Sequence, residues 1–125
     1  MNNPRKMVWG ITMATLLTAG MHVARADSQP VTIKGYVLDS ACAFTKGLKK
    51  PISAECAVAC AKAGSPLVIL TEDGTIYWPI SAAPPAKGQN DRLIPFAGKR
   101  VSVQGKIYQR GGSRAVVIAS IAPEK

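Results

Sequence analysis

Histidine and methionine are nearly absent from this sequence, and the few present lie at one end. The only histidine is His22, and the four methionines are Met1, Met7, Met13 and Met21. The segment that holds them, MNNPRKMVWGITMATLLTAGMHVARA, is built like an export signal. Arg5 and Lys6 supply its positive start, Met7 to Ala19 its apolar stretch, and Ala24-Arg25-Ala26 its small-x-small cleavage rule. Removal of residues 1–26 is expected, leaving residues 27–125 as one domain in the periplasm or outside the cell. That mature chain has no histidine and no methionine. A histidine base, a Ser-His-Asp triad, histidine-ligated haem and methionine-rich copper sites are therefore excluded, and no Cys-x-x-Cys-His haem attachment occurs. Nor is there a long apolar run. The stretch from Met7 to Ala19 is shorter than the ~20 residues of a spanning helix, so no transmembrane segment is expected once the signal is cleaved.

Acidic residues are few as well: Asp27, Asp39, Glu55, Glu72, Asp73, Asp91 and Glu124. Glu72 and Asp73 belong to a turn, and Asp27 and Glu124 lie near the mature termini. No motif pairs two carboxylates for acid–base work, and Gly111-Gly112 reads as a turn rather than a phosphate loop. The chain is thus expected not to be an enzyme. Against these 7 acids stand 16 lysines and arginines; removing Arg5, Lys6 and Arg25 with the signal leaves 13, a mature charge of +6. Such a balance favours an anionic ligand or a periplasmic protein as partner. Export takes nucleic acid out of the expected partners.

What is present reads as a small β-barrel. Five segments have strand character: PVTIKGYVLDS, PLVILT, TIYWPI, KRVSVQGKIYQ and RAVVIASIA. The first, fourth and fifth alternate apolar and polar residues with a period of two. Glu72-Asp73-Gly74 marks a hairpin between the second and third, and Gly111-Gly112-Ser113 one between the fourth and fifth. Gly35 and Gly105 fall in mid-strand, where glycine suits the bends that close a small barrel. One helix is expected from Ala54 to Ala63. Ser53 caps it, Glu55 sits in its first turn, and Gly64 with Pro66 ends it. Cys56, Ala59, Cys60 and Ala63 share a small-residue face expected to lie on the sheet. The segment SAAPPAKGQNDR reads as an exposed loop. Leu93, Ile94 and Phe96 then plug one end of the barrel.

The segments GYVLDSAC, CAVACAKAGSP, DGTIYWPI and PFAGKRVSVQG resemble a group of small exported bacterial domains. That group is marked by Asp-Ser-x-Cys, then Cys-x-x-x-Cys, then Gly-Lys-x-Val-x-Val-x-Gly. The likeness covers nearly all of the mature chain. It implies a mainly β fold, a five-stranded barrel like the oligonucleotide/oligosaccharide-binding (OB) fold, with one short helix after the first strand. It brings no activity. Many looser relatives carry a histidine shortly after the first cysteine, where this chain has Ala43-Phe44-Thr45-Lys46, so a metal role resting on that histidine does not transfer.

Three readings of the cysteines follow from the residues. In the first, Cys42 bridges to Cys56 or Cys60 of the helix; Cys60 is the chosen partner, which leaves Cys56 as a free or reactive thiol. Closing a loop of fifteen to nineteen residues this way is worth roughly 3 kcal/mol. In the second, Cys42, Cys56 and Cys60 hold a soft metal, copper or zinc; the first reading needs no cofactor. In the third, Cys56 reacts as a thiolate, favoured by its place in the first helical turn and by Lys46, Lys49 and Lys50. Binding is the remaining class. Tyr36, Tyr77 and Tyr108, with Lys34 and Lys106 nearby, are candidates for stacking and charge contacts on an OB-like surface, while Trp78 is placed in the core with Ile76 and Ile80. The leading expectation is an exported, non-enzymatic barrel that binds a ligand or a partner protein, as a free domain or as an accessory of a periplasmic complex. The alternative is a thiol-redox or soft-metal protein.

Overall fold

The computed structural model describes residues 29–49 and 51–125. The expected export signal, residues 1–26, lies outside them. Five strands close into a barrel: β1 (Val31–Asp39), β2 (Leu67–Leu70), β3 (Ile76–Pro79), β4 (Arg100–Arg110) and β5 (Ser113–Pro123), in the order β1-β2-β3-β5-β4. Every neighbouring pair is antiparallel except β3 and β5, which run parallel. Closure on this plan is that of an OB-like barrel. Among the described residues no helix is long and apolar enough to cross a membrane.

Two bends make closure possible. β1 pairs with β4 through Val31–Tyr36 and then with β2 through Tyr36–Asp39. Gly35 stands at that handover, where a Cβ would come within 2.7 Å of the Leu70 carbonyl oxygen. The β4–β5 ladder slips register between Gln104 and Gly105, and Gly105 lies against the Val117 carbonyl with no space for a side chain. Both glycines are therefore needed for close backbone approach at a bend or bulge.

The inward residues Ile33, Val37, Leu67, Ile69, Val101, Val103, Val116 and Ile118 form the barrel core. A second cluster lies on its outer surface: Leu38, Ala43, Val68 and Leu70, with Tyr36, Leu48, Ile52, Ile76 and Trp78 against them. This explains why all four residues of β2 are buried. One face meets the barrel interior, and the other is roofed by the chain that follows β1.

That roof differs from the single expected helix. It begins with a six-residue helix, α1 (Ser40–Thr45), capped by Asp39, whose Oδ1 accepts from the Cys42 amide at 3.1 Å. Cys42 is thus helical. The next helix, α2 (Ala54–Lys62), forms as its caps predict: Ser53 Oγ accepts from the Cys56 amide at 3.1 Å, and Gly64 adopts φ +100° past the end. Its phase is different from expectation. Ala57 and Ala61 are the buried pair, and Cys56, Ala59 and Ala63 are exposed. Both sets obey helical spacing, and with small residues all round the helix the sequence offers no hydrophobic contrast to choose between them.

The loop after β3 ends in a third short helix, α3 (Asn90–Leu93), followed by a 3-10 turn at Ile94–Phe96. Leu93 is fully buried in the barrel core, with Ile94 and Phe96 packed beside it, so this segment plugs the barrel as expected. Asn90 holds the arrangement together. Its Nδ2 donates to the carbonyls of Ala61 (3.2 Å) and Ser65 (2.8 Å), and its Oδ1 accepts from the Leu67 amide at 2.8 Å. One side chain thereby satisfies a carbonyl near the end of α2 and aligns the start of β2.

Across the barrel wall, Glu124 pairs with Lys34 at 2.5 Å and with Arg100 at 2.7 Å, while Arg100 also reaches Glu72 at 2.8 Å. The Lys34 hydrogen bond, foremost, and the charges of Lys34 and Arg100 hold the Glu124 carboxyl below its usual range despite some opposing desolvation. A carboxyl lowered in the folded state stabilises the fold above its unfolded-state value, and that contribution disappears as pH falls through the folded value. Glu124→Gln is therefore expected to lower the urea midpoint at neutral pH and to shrink the acid-side decline. The two midpoint curves should converge below the carboxylate range; parallel curves at all pH values would refute the linkage.

Candidate functional site

Two sets of side chains outside the barrel core carry chemistry. The first is an aromatic face on the outer wall. The ladders align Tyr108 of β4 with Ala115 of β5, and Ala115 with Trp78 of β3. Alternation turns this row outward, because the adjoining Ile107, Val116 and Tyr77 all pack on the barrel core. Ala115 is a small residue between two large aromatics, so the row has a shallow floor with a ring at each end. Phe44 of α1 extends it, with its ring centroid 6.1 Å from that of Trp78 at an angle of 37°. Phe44 is 65% exposed and Tyr108 43%, a large aromatic area left open to solvent.

Charge borders this face. Lys106 Nζ lies 5.2 Å from the Tyr108 ring centroid, a cation–π distance. A groove of about 500 Å³ runs between Phe44, Trp78 and Ile76 on one side and Gly111, Gly112, Ser113 and Arg114 on the other. A second, of about 530 Å³, opens on the far side of Trp78 along Pro66, Pro79 and Lys87–Asp91. Trp78 lines both.

Of the residues expected to bind, Lys106 and Tyr108 belong to this face. Lys34 is engaged with Glu124, Tyr36 packs into the outer cluster, and Tyr77 packs into the barrel core, so these three do not converge with the others. Phe44, Trp78 and Arg114 complete the face and were not anticipated there. Alternation from Tyr77 places Trp78 on the outer side. Trp78, like Tyr36, packs partly into the outer cluster, but its place beside Ala115 in the ladder sets it on this face.

The second set surrounds a cavity of about 70 Å³ between α1 and α2, lined by Leu38, Asp39, Cys42, Lys46, Gly47, Pro51, Ile52, Ser53, Cys56 and Ala57. Cys42, Cys56 and Cys60 are unbridged in this structure, so the expected Cys42–Cys60 bridge is not shown. Cys42 and Cys56 share the cavity wall; Cys60 lies one helical turn further along α2 and does not reach it. Cys56 is exposed rather than buried, a consequence of the helix phase described above. Asp39, only 2% exposed, is the buried charged residue of the barrel. Its hydrogen bond to the Cys42 thiol, then burial, then its negative charge push that thiol above its ordinary value, against a smaller opposing pull from Lys46. Burial, followed by Asp39 and the neighbouring Cys56, raises Cys60 in the same direction. Among the described residues no three cysteines, histidines or carboxylates are grouped to hold a metal ion.

Compared with protein-family models, with curated proteins and with solved structures, the chain finds no match in any of the three.

Proposed function

We propose that this chain is an exported, non-enzymatic OB-like barrel, of the kind its motifs resemble, that binds an acidic saccharide on its outer aromatic face. In the OB fold, the face of strands two and three and the loops following strands one and four are the usual seat of oligosaccharides and oligonucleotides. Here those parts are β3, α1 and the Gly111–Gly112 turn. The observation that carries the reading is the outward row Tyr108–Ala115–Trp78, extended by the exposed Phe44 and bordered by Lys106 and Arg114. Flat rings stack the faces of sugar rings, and the two cations complement carboxylates along an acidic chain. A small protein carrying such a face can also serve as the saccharide-binding accessory of a larger periplasmic complex.

Titration calorimetry with a galacturonate hexamer, against an uncharged glucose hexamer of the same length, tests this. Binding of the acidic oligomer only, weakening as salt rises, is expected. One stacked ring is worth about 1–3 kcal/mol, so Trp78→Ala should weaken binding by roughly one to two powers of ten. Trp78→Phe should retain most of it. Equal affinity for both oligomers, or no heat from either, would overturn the proposal.

A further inference from the structure

The geometry points to a thiol–disulfide exchange centre made of Cys42 and Cys56, with Asp39 as proton acceptor and an external disulfide as the substrate. This activity is independent of the saccharide face, and each can fail without the other. Three observations converge on it. Cys42 and Cys56 sit at the same position in two separate helices, each with its amide donating to the side chain that caps its helix. Both line one small cavity whose other polar members are Asp39, Lys46 and Ser53. The two differ in the way a two-step exchange requires: Cys56 is open to solvent, whereas Cys42 is half-buried beside a buried carboxylate.

The steps balance without any further reactant. The Cys56 thiol gives its proton to water, and its sulfur attacks one sulfur of the substrate disulfide. The S–S bond of the substrate breaks, one thiolate leaves and is protonated, and Cys56 holds the other half as a mixed disulfide. Cys42 next passes its proton to the Asp39 carboxylate and attacks the Cys56 sulfur. The mixed disulfide breaks, and its thiolate leaves with the proton that Asp39 has received. Two electrons have moved from the two cysteines to the substrate, which departs as two thiols, and a Cys42–Cys56 bridge remains. The reverse sequence reduces that bridge with two external thiols. Cys56, open to solvent, takes the first step, and Cys42, half-buried beside the buried Asp39, takes the second. Lys46, on the cavity wall, faces the thiolates that form in both steps.

The purified protein, first reduced and then equilibrated without oxygen in a series of reduced and oxidised glutathione mixtures, provides the test. Intact mass and peptide mapping follow the bridge. The expected result is loss of two hydrogens, a crosslink joining Cys42 to Cys56, and half-conversion within the series from either direction. Cys60→Ala should behave as the parent. Cys42→Ala should stop with one glutathione on Cys56, and Cys56→Ala should form no bridge. In Asp39→Asn the first adduct should appear at the parental rate, while its conversion to the bridge slows. A crosslink to Cys60, a bridge that stays oxidised in every mixture, or no crosslink at all would each overturn the proposal. Should Cys42→Ala or Asp39→Asn fail to fold by circular dichroism, the mapping of the parent and of Cys60→Ala still decides.

Discussion

Leu93→Ala is expected to lower the unfolding free energy by about 2–5 kcal/mol, the range for deleting a buried leucine side chain. Leu93 is fully buried at the end of the short helix that closes the barrel. It packs into the same cluster as Val37, Ile69, Val101 and Val116, which belong to four different strands. A closed ring of strands cannot collapse far into the space an alanine would leave, since each ladder is held by both neighbours, so the upper half of the range applies. Urea denaturation of the two proteins measures the effect. The partly exposed Tyr108 provides the contrast, because Tyr108→Ala removes a ring from the surface and should change stability by no more than about 0.5 kcal/mol. A Leu93→Ala loss below about 1 kcal/mol would show that the segment after β3 lies over the barrel rather than plugging it.

Gly98→Ala should have the next largest effect, for a different reason. Gly98 adopts φ +74°, and a Cβ there would stand 2.6 Å from Ala54 Cα and 2.9 Å from Ala54 N and Cβ. The left-handed conformation costs an alanine about 1–2 kcal/mol, and overpacking against backbone adds roughly 1–3 kcal/mol. The Gly98 amide also donates to the Val37 carbonyl at 2.8 Å, so the loop cannot move aside without losing that bond. Ala54 is the first residue of α2, so relief of the clash displaces the helix start that positions Cys56. Alkylation of Cys56 in the native protein should change in rate along with the loss of stability. Gly111→Ala is the control: its φ is +55°, with nothing within 4 Å of the added carbon. It should show the conformational cost alone and leave Cys56 unchanged. Equal losses in the two variants would remove the contact with Ala54 from the account.

Much of this fold is legible in the amino-acid order. Ile33 and Val37 alternate with Lys34 and Tyr36, and Val101 and Val103 with Ser102 and Gln104; that period of two places one set inside a barrel. Ser53, Gly64 and Pro66 mark the ends of α2 because capping is local chemistry. Gly35 and Gly105 announce bends, since a mid-strand glycine has little other use. Leu93, Ile94 and Phe96 stand out as an apolar group directly after a polar loop.

Other features are set by contacts between residues far apart in sequence. The helix α1 has six residues, too few for periodicity to register, and persists because Asp39 caps it and Ala43 is buried on β2. The choice of Ala57 and Ala61 over Cys56 and Cys60 as the buried face depends on how α2 meets the barrel, as its own residues are nearly uniform in size. Asn90 reads as one polar residue in a loop, yet it bonds residues 23, 25 and 29 positions away. The candidate sites divide in the same way. Sequence alone determined that this chain has the alternation of a small barrel, one capped helix with a cysteine in its first turn, and aromatic and basic residues on its strands. Only the tertiary structure decided that Trp78 and Tyr108 face each other over Ala115, because the parallel pairing of β3 with β5 joins segments more than thirty residues apart. It likewise decided that Cys56, rather than Cys60, shares a cavity with Cys42, because burial of Ala57 and Ala61 against the barrel sets the rotation of the helix.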